Sequence, residues 1–405
     1  MISMAPFAQS VMPRGITFNP SAPLGQFRAQ WATPGDVFSV LLILGGDVVG
    51  RALAQLAGSG FTPVSFSFGW VAYSVMALVS AVGENKLMPS DPDCKCKVIN
   101  GRTGYGRDNS SWILGRIMRD FGYWRHEDVQ AKLDEVLEAK RKAGKMTKRP
   151  PMAGLIVSVY EASSVSTAGD VHRDHVYWIG FPVMLLQLGI AAIPCGLFGD
   201  WSVLLITAAG ILLSVSTGLL PQWKKEKWAC RKKSSGKYII TRGNGAQHAI
   251  VILGRGRGFD LEDLASGQAN ILVVANTTTR LALLVLSALW ILLLVTAAGV
   301  QENTWFLLVV GAVGILQNVY VAGARRRPES FGIPLEFVEV LGQPQVMDTL
   351  LEVERKYKHV GRAMLGEFFP GKLTSAEEEM WDTIHSTNPS NEKEADEAKT
   401  IRLSE

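Results

Sequence analysis

Asp47, Arg51 and Gln55 stand four residues apart in an otherwise apolar stretch. Spacings of four set them along one side of a helix, where an acid, a base and an amide can pair or line a path for an ion or proton. Gln187, Gln317 and Asn318, from other apolar stretches, are candidates to join that path. The competing reading is a structural ion pair that fixes helix packing, with Gly45, Gly46 and Gly50 admitting a close neighbour. Each charge held in hydrocarbon costs about 3 kcal/mol on insertion scales, so Asp47 and Arg51 are expected to face the bundle and pair.

A second group lies in TRGNGAQH and GRGRGFD. Glycines beside Arg242, Arg255 and Arg257 can cradle a phosphate or a lipid headgroup. Gly254, Gly256 and Gly258 do not make GxGxxG and no GK[ST] follows, so a tight hairpin turn with a basic, membrane-facing loop competes with that reading. His172 and His175 stand three apart but lack partners for a metal site, and HExxH is absent, so no metal or cofactor is expected. Cys94 and Cys96 form a CxC without a second pair. Cys230, in a basic stretch, is a candidate for palmitoylation, with ordinary free thiols as the alternative. No set of nucleophile, acid and base is visible, so no catalytic residue is assigned.

These residues need elements to position them. Six apolar windows are long enough to span about 30 Å of hydrocarbon as helix: 37–57, 63–82, 176–198, 202–220, 281–300 and 304–322. They pair into three helical hairpins through the turns GSGFT, GDW and QEN. The chain holds 41 Lys and Arg, and those three turns hold none. Basic residues near helix ends stay cytoplasmic, which predicts that both termini and both long loops are cytosolic. Trp70, Trp178, Trp201, Trp223 and Trp305 lie near predicted helix ends, as interfacial anchors would.

Charged residues make up 19% of the chain against about 25% in a soluble domain, and they alternate in blocks with apolar runs. The net charge of +4 is too small to argue for nucleic acid. Four cysteines without a disulfide pattern point to a reducing compartment. The basic, acid-free start resembles a mitochondrial presequence in composition, but its prolines break any amphipathic helix, leaving a disordered tail as the simpler reading.

Between the windows, SWILGRIMRDFGYW and residues 126–143 read as amphipathic helices, and residues 154–160 as a strand. KYIIT and HAIVIL flank RGNGAQ as a β-hairpin, and GFDLEDLA starts a helix. Val346, Leu350, Val353, Tyr357, Val360 and Met364 recur as a heptad-like seam, which either docks on the protein's own soluble part or mediates self-association or partner binding.

The expected fold class is therefore a membrane all-α protein: a six-transmembrane-helix bundle with a mixed α+β cytosolic module. Its parts run as a disordered N-terminal tail (1–35), helices 1 and 2 (36–82), a loop domain (83–175) and helices 3 and 4 (176–220). A β-hairpin segment (221–280), helices 5 and 6 (281–322), C-terminal helices (323–387) and a disordered tail (388–405) complete it. A span of the first window is the weakest part of this map; a re-entrant course there would move the N-terminus outside.

GWVAYSVMALVSAVGENKLMP, SWILGRIMRD, TRGNGAQHAIVILG and GEFFPGKLTSAEEEMWDTI resemble segments of multi-pass membrane proteins of filamentous fungi. The resemblance implies a membrane protein of fungal source, in the plasma membrane or an endomembrane, and carries no activity. The expected function is a non-enzymatic membrane protein whose cytosolic module binds partners or lipid headgroups. The alternative is a small-solute or ion transporter or channel using the polar face of the first helix. The sequons at Asn109 and Asn276 are expected to stay unglycosylated; an endoglycosidase-sensitive mobility shift of the native protein would reverse the orientation.

Overall fold

The computed structural model describes residues 35–83, 86–89, 91–145, 148, 150–267, 274–369, 371 and 373–386. The expectations for the tails 1–34 and 388–405 lie outside these residues. The described chain is mixed helix and sheet, built from a helical bundle and a three-layer module around a sheet.

The module is organised by a six-stranded sheet in the order β2-β1-β5-β6-β3-β8. Its strands are β1 (Lys97–Asn100), β2 (Gly106–Asp108), β3 (Ile156–Ala162), β5 (Lys237–Thr241), β6 (His248–Leu253) and β8 (Leu335–Gly342). Two short strands, β4 (Lys232–Ser234) and β7 (Gly258–Phe259), pair separately. The β5–β6 hairpin is antiparallel, Thr241 opposite Ala249, as its turn chemistry predicts. β3 and β6 run parallel, so strands from the two long loops meet at the centre.

Side chains alternate across this sheet with period two. Val98, Ile156, Tyr160, Ile240 and Ile250 face α3 (Trp112–Arg119) and α4 (Glu127–Ala143). Ile99, Val157, Val159, Ile239 and Val251 face α10 (Val346–Lys356) and α11 (Val360–Phe368). The heptad seam is thus divided. The helix breaks at residues 357–359, where His359 takes φ +73°, and Leu350, Val353, Val360 and Met364 are buried against the sheet. A final helix, α12 (Ser375–Ser386), follows. A heptad period describes two short helices packed on one surface as well as it describes a coiled coil.

The bundle consists of α1 (Gly35–Leu56), α2 (Gly69–Gly83), α5 (Gly180–Phe198), α6 (Ser202–Gly218), α8 (Thr277–Ala298) and α9 (Thr304–Gly323), with α7 (Pro221–Lys227) bent from α6 by 42°. Among the described residues, three helices are long and apolar enough to cross a membrane: His175–Phe198, which adds a one-turn helix to α5, α8 and α9. The bent pair α6–α7 makes a fourth if counted as one span. Trp178, Trp201 and Trp305 are exposed as anchors would be, but Trp70 and Trp223 are fully buried inside the structure.

The first two windows do not form a helical hairpin. Gly45 meets Gly69 and Gly50 meets Tyr73, so α1 and α2 run in the same direction. Residues 61–67 between them are not helical and are threaded back through the bundle. Thr62 meets Gly218 and Phe66 meets Gly210. That is about 12 Å along α6 in four residues, close to the rise of extended chain at about 3.3 Å per residue. The reason is visible in TPVSFSF: a proline, then Ser alternating with Val and Phe. A hydropathy window averages over that alternation and reads helix.

Backbone in such a place must find partners. Gln317 accepts from Ser65 N at 3.2 Å and Ser65 Oγ at 2.8 Å, and donates to Pro63 O at 3.3 Å. Gln187 donates to Phe66 O at 2.7 Å. Asn318 donates to Ser65 O and to Ser67 Oγ. Gly314 lets this chain through, since a Cβ there would sit 1.7 Å from Phe66 O.

Gly314→Ala is expected to lower the thermal unfolding midpoint in detergent, at a cost of about 1–3 kcal/mol from overpacking. Gly189→Ala, whose Cβ meets nothing within 4 Å, should cause no loss.

Candidate functional site

The polar face of α1 is split rather than assembled. Each step of four residues drifts by about 40° around a helix, so Asp47 and Gln55 point about 80° apart. Asp47 and Arg51 pair at 2.9 Å with side chains 70% and 46% exposed, so they lie on the outside of the bundle and do not face its interior. Arg51 reaches on to Asp93 of the module at 3.1 Å. Gln55 is fully buried and donates to Val321 O and Ala324 O at the end of α9. With Gln187, Gln317 and Asn318 holding the threaded chain, these six residues do not share one path.

Basic side chains close the helix ends where bundle meets module. Lys227 Nζ donates to Gln55 O at 3.1 Å and Ala57 O at 2.9 Å, and Arg326 Nη1 donates to Gln55 O at 2.7 Å. Arg116 and Arg119 donate to the last carbonyls of α9. Cations suit these positions because a helix C-terminus carries partial negative charge and unpaired carbonyls. Asp174 holds Arg326 through two contacts of 2.8 and 2.9 Å. Burial pushes the Asp174 carboxyl up, but Arg326, Tyr177 N and Ser330 outweigh it and hold the group below its ordinary value. The turn GSGFT therefore lies on the module's side of the bundle, beside residues 169–173 and 218–224, rather than at the opposite end.

Two large clefts formed by described residues lie near this junction. One, of about 490 Å³, is lined by Arg119, Gly122 and Arg125 after α3, and by Arg242 and residues 244–248 of the β5–β6 turn. Among the described residues no carboxylate lines it. Gly243 and Gly245 take φ of +96° and +80°, which lets the turn fold back tightly. Glu367 supports the turn from outside, accepting from Asn244 N and pairing with Lys97. Arg119 also pairs with Asp120 at 2.7 Å, and Arg125 donates to Gln130.

His248 opens β6 at the back of this cleft, its ring 5.3 Å from that of Phe121. Its Nδ1 is buried and makes no hydrogen bond to the described residues. Burial, then the charges of Arg125 and Arg242, pushes its pKa down to about 4. The lining can attract an anion: it combines three arginines, a glycine turn and an imidazole whose protonation a bound negative charge would favour.

Of the sequence candidates only Arg242 lies here. Arg255 is drawn to Glu161 at 3.0 Å, and Arg257 lines a separate small crevice beside Ser163 and Gly254. Arg119 and Arg125 were not legible as partners, since they lie on a different loop more than a hundred residues away. Cys230 packs against the core, and burial, followed by Asp263 and Asp260, pushes its thiol up to about 12, which opposes a reactive thiolate. Asn109 is buried and bonded to Ser111, and Asn276 caps α8. No protein-family model matches the chain, and no curated protein or solved structure matches it.

His248 generates a pH prediction. Its folded value lies below the ordinary 6.5, so the unfolded chain binds more protons between the two values. This contribution is intact above about pH 6.5 and is lost as pH falls toward about 4, by at most about 1.4 kcal/mol per pH unit. Chemical denaturation at pH 7 and pH 5 should show a smaller stability difference for His248→Gln than for the parent protein.

Proposed function

We propose that the chain is a non-enzymatic membrane protein whose soluble module binds a phosphate-bearing anion, offered by a lipid headgroup, in the cleft of Arg119, Arg125 and Arg242. The observation that carries this reading is a cleft lined, among the described residues, by three arginines and a histidine and by no carboxylate, Arg125 and Arg242 being the two arginines that Asp93 and Asp120 do not hold. Its volume lies within the range of ligand pockets, about 300–1,000 Å³. Arg119 touches the last carbonyls of α9 while lining the cleft, so the cleft opens within one side chain of the bundle's end. That closeness favours a headgroup over a free solute.

In this reading α1, α5, α6, α8 and α9 span the membrane, and residues 57–83 form a re-entrant loop from the module's side. The basic loops make that side cytosolic. Five spans place the N-terminus opposite the C-terminus, which departs from a six-span map with both ends in the cytosol. The fungal source is carried only by the sequence resemblance. Transport along α1 loses support, because Asp47 and Arg51 face outward and the buried amides are spent on backbone. Neither large cleft is lined by any of them.

Titration of the detergent-purified full chain with dioctanoyl phosphatidic acid, and separately with inorganic phosphate, tests this. The lipid should bind and compete with phosphate, and Arg125→Gln or Arg242→Gln should each weaken it about tenfold, the worth of one charge-assisted contact. Phosphate binding without lipid binding would replace the headgroup by a soluble ligand. Affinity indifferent to both variants would remove the cleft from the account.

A further inference from the structure

The second large cleft differs in charge from the first. It encloses about 660 Å³ between the turn at residues 58–60, residues 169–173 and residues 218–224. These are the turn after α1, where the chain reverses at the module's side, the approach to α5 and the break between α6 and α7. If the bundle is embedded as proposed above, on which this inference rests, the cleft stands at the level of lipid headgroups.

Its lining carries both signs of charge and an apolar portion. Arg173 and Lys224 supply the cations, Asp170 supplies an anion, and Val171, Leu219 and Leu220 supply the apolar contacts. Asp170, Arg173 and Lys224 are all exposed, and among the described residues none of them forms a salt bridge with another. The Arg173 guanidinium lies over the Tyr177 ring at 5.2 Å, a contact that uses the face of the guanidinium rather than its N–H groups. Three charges of both signs around one opening, not paired with one another among the described residues, describe the complement of a zwitterion. A phosphate needs the two cations, a primary ammonium needs the carboxylate, and the start of the acyl chains needs the leucines beside the end of α6.

We infer that this cleft seats the headgroup of an aminophospholipid of the phosphatidylethanolamine class, with its phosphate on Arg173 and Lys224 and its ammonium on Asp170. A primary ammonium donates hydrogen bonds to a carboxylate. A trimethylated ammonium has no N–H to donate, and a glycerol headgroup has no cation. The cleft therefore ranks headgroups rather than simply attracting negative charge, which sets it apart from the arginine cleft.

The test is native mass spectrometry of the full chain released from mixed micelles that hold phosphatidylethanolamine, phosphatidylcholine and phosphatidylglycerol in equal amounts. Phosphatidylethanolamine should be retained severalfold over the other two. Asp170→Asn should abolish that preference, and Arg173→Gln with Lys224→Gln should lower retention of all three. All three side chains are exposed, so these variants should keep the parent's circular dichroism. Arg242→Gln should leave the preference untouched, which separates this site from the first cleft. Equal retention of the three lipids, a preference for phosphatidylglycerol, or a preference that survives Asp170→Asn would overturn the assignment.

Discussion

The carbonyls at the end of α1 are the contact on which the architecture depends. Gln55 O and Ala57 O accept from Lys227 and Arg326, two buried basic side chains contributed by segments far apart in the chain, and burial, followed by the charge of Arg326, pushes the Lys227 pKa down. Burying a cation is costly unless it is paired and fully bonded. Here the cost is offset by helix-end carbonyls, by the Asp174 carboxylate against Arg326, and by the rings of Trp228 and Phe331. The same set joins α1, the approach to α5, the end of α7 and the chain after α9. It fixes which end of α1 meets the module, and so which way the rest of the first two windows must run.

From that anchoring follows the threaded chain. With α1 ending at the module and α2 also running toward it, residues 57–68 must return through the bundle. An extended chain inside a helical bundle leaves backbone groups that only neighbouring side chains can satisfy. Gln187, Gln317 and Asn318 serve that purpose, and small residues on the surrounding helices make the room. Gln187, Gln317 and Asn318, which stand out in apolar windows, thus have partners in the backbone and serines of the threaded chain.

The module shows how partial a local reading is. The β5–β6 hairpin, α4 with Val129, Leu133 and Val136 on its buried face, and the helix begun by Asp260 were all legible, because each depends on pattern or capping within a few residues. β1, β2 and β8 were not. They are short or lie beside helix-like runs; β1 and β8 become strands by pairing with segments more than a hundred residues away, and β2 by pairing with β1. The arginine cleft follows the same rule. Arg242 was visible beside its glycine turn, whereas Arg119 reads from sequence as one more charge on an amphipathic helix.

The sequence alone determined the apolar helices, the absence of basic residues from the turns GDW and QEN, and the strands whose side chains alternate. Those features rest on composition and short periods, which act locally. Only the tertiary structure decided that Asp47 and Arg51 face outward while Gln55 faces in, that the second window is threaded chain before it is helix, and that Arg119, Arg125 and Arg242 line one cleft. Each of these depends on which distant segment supplies a partner for a buried backbone group or charge, and no window along the chain contains that information.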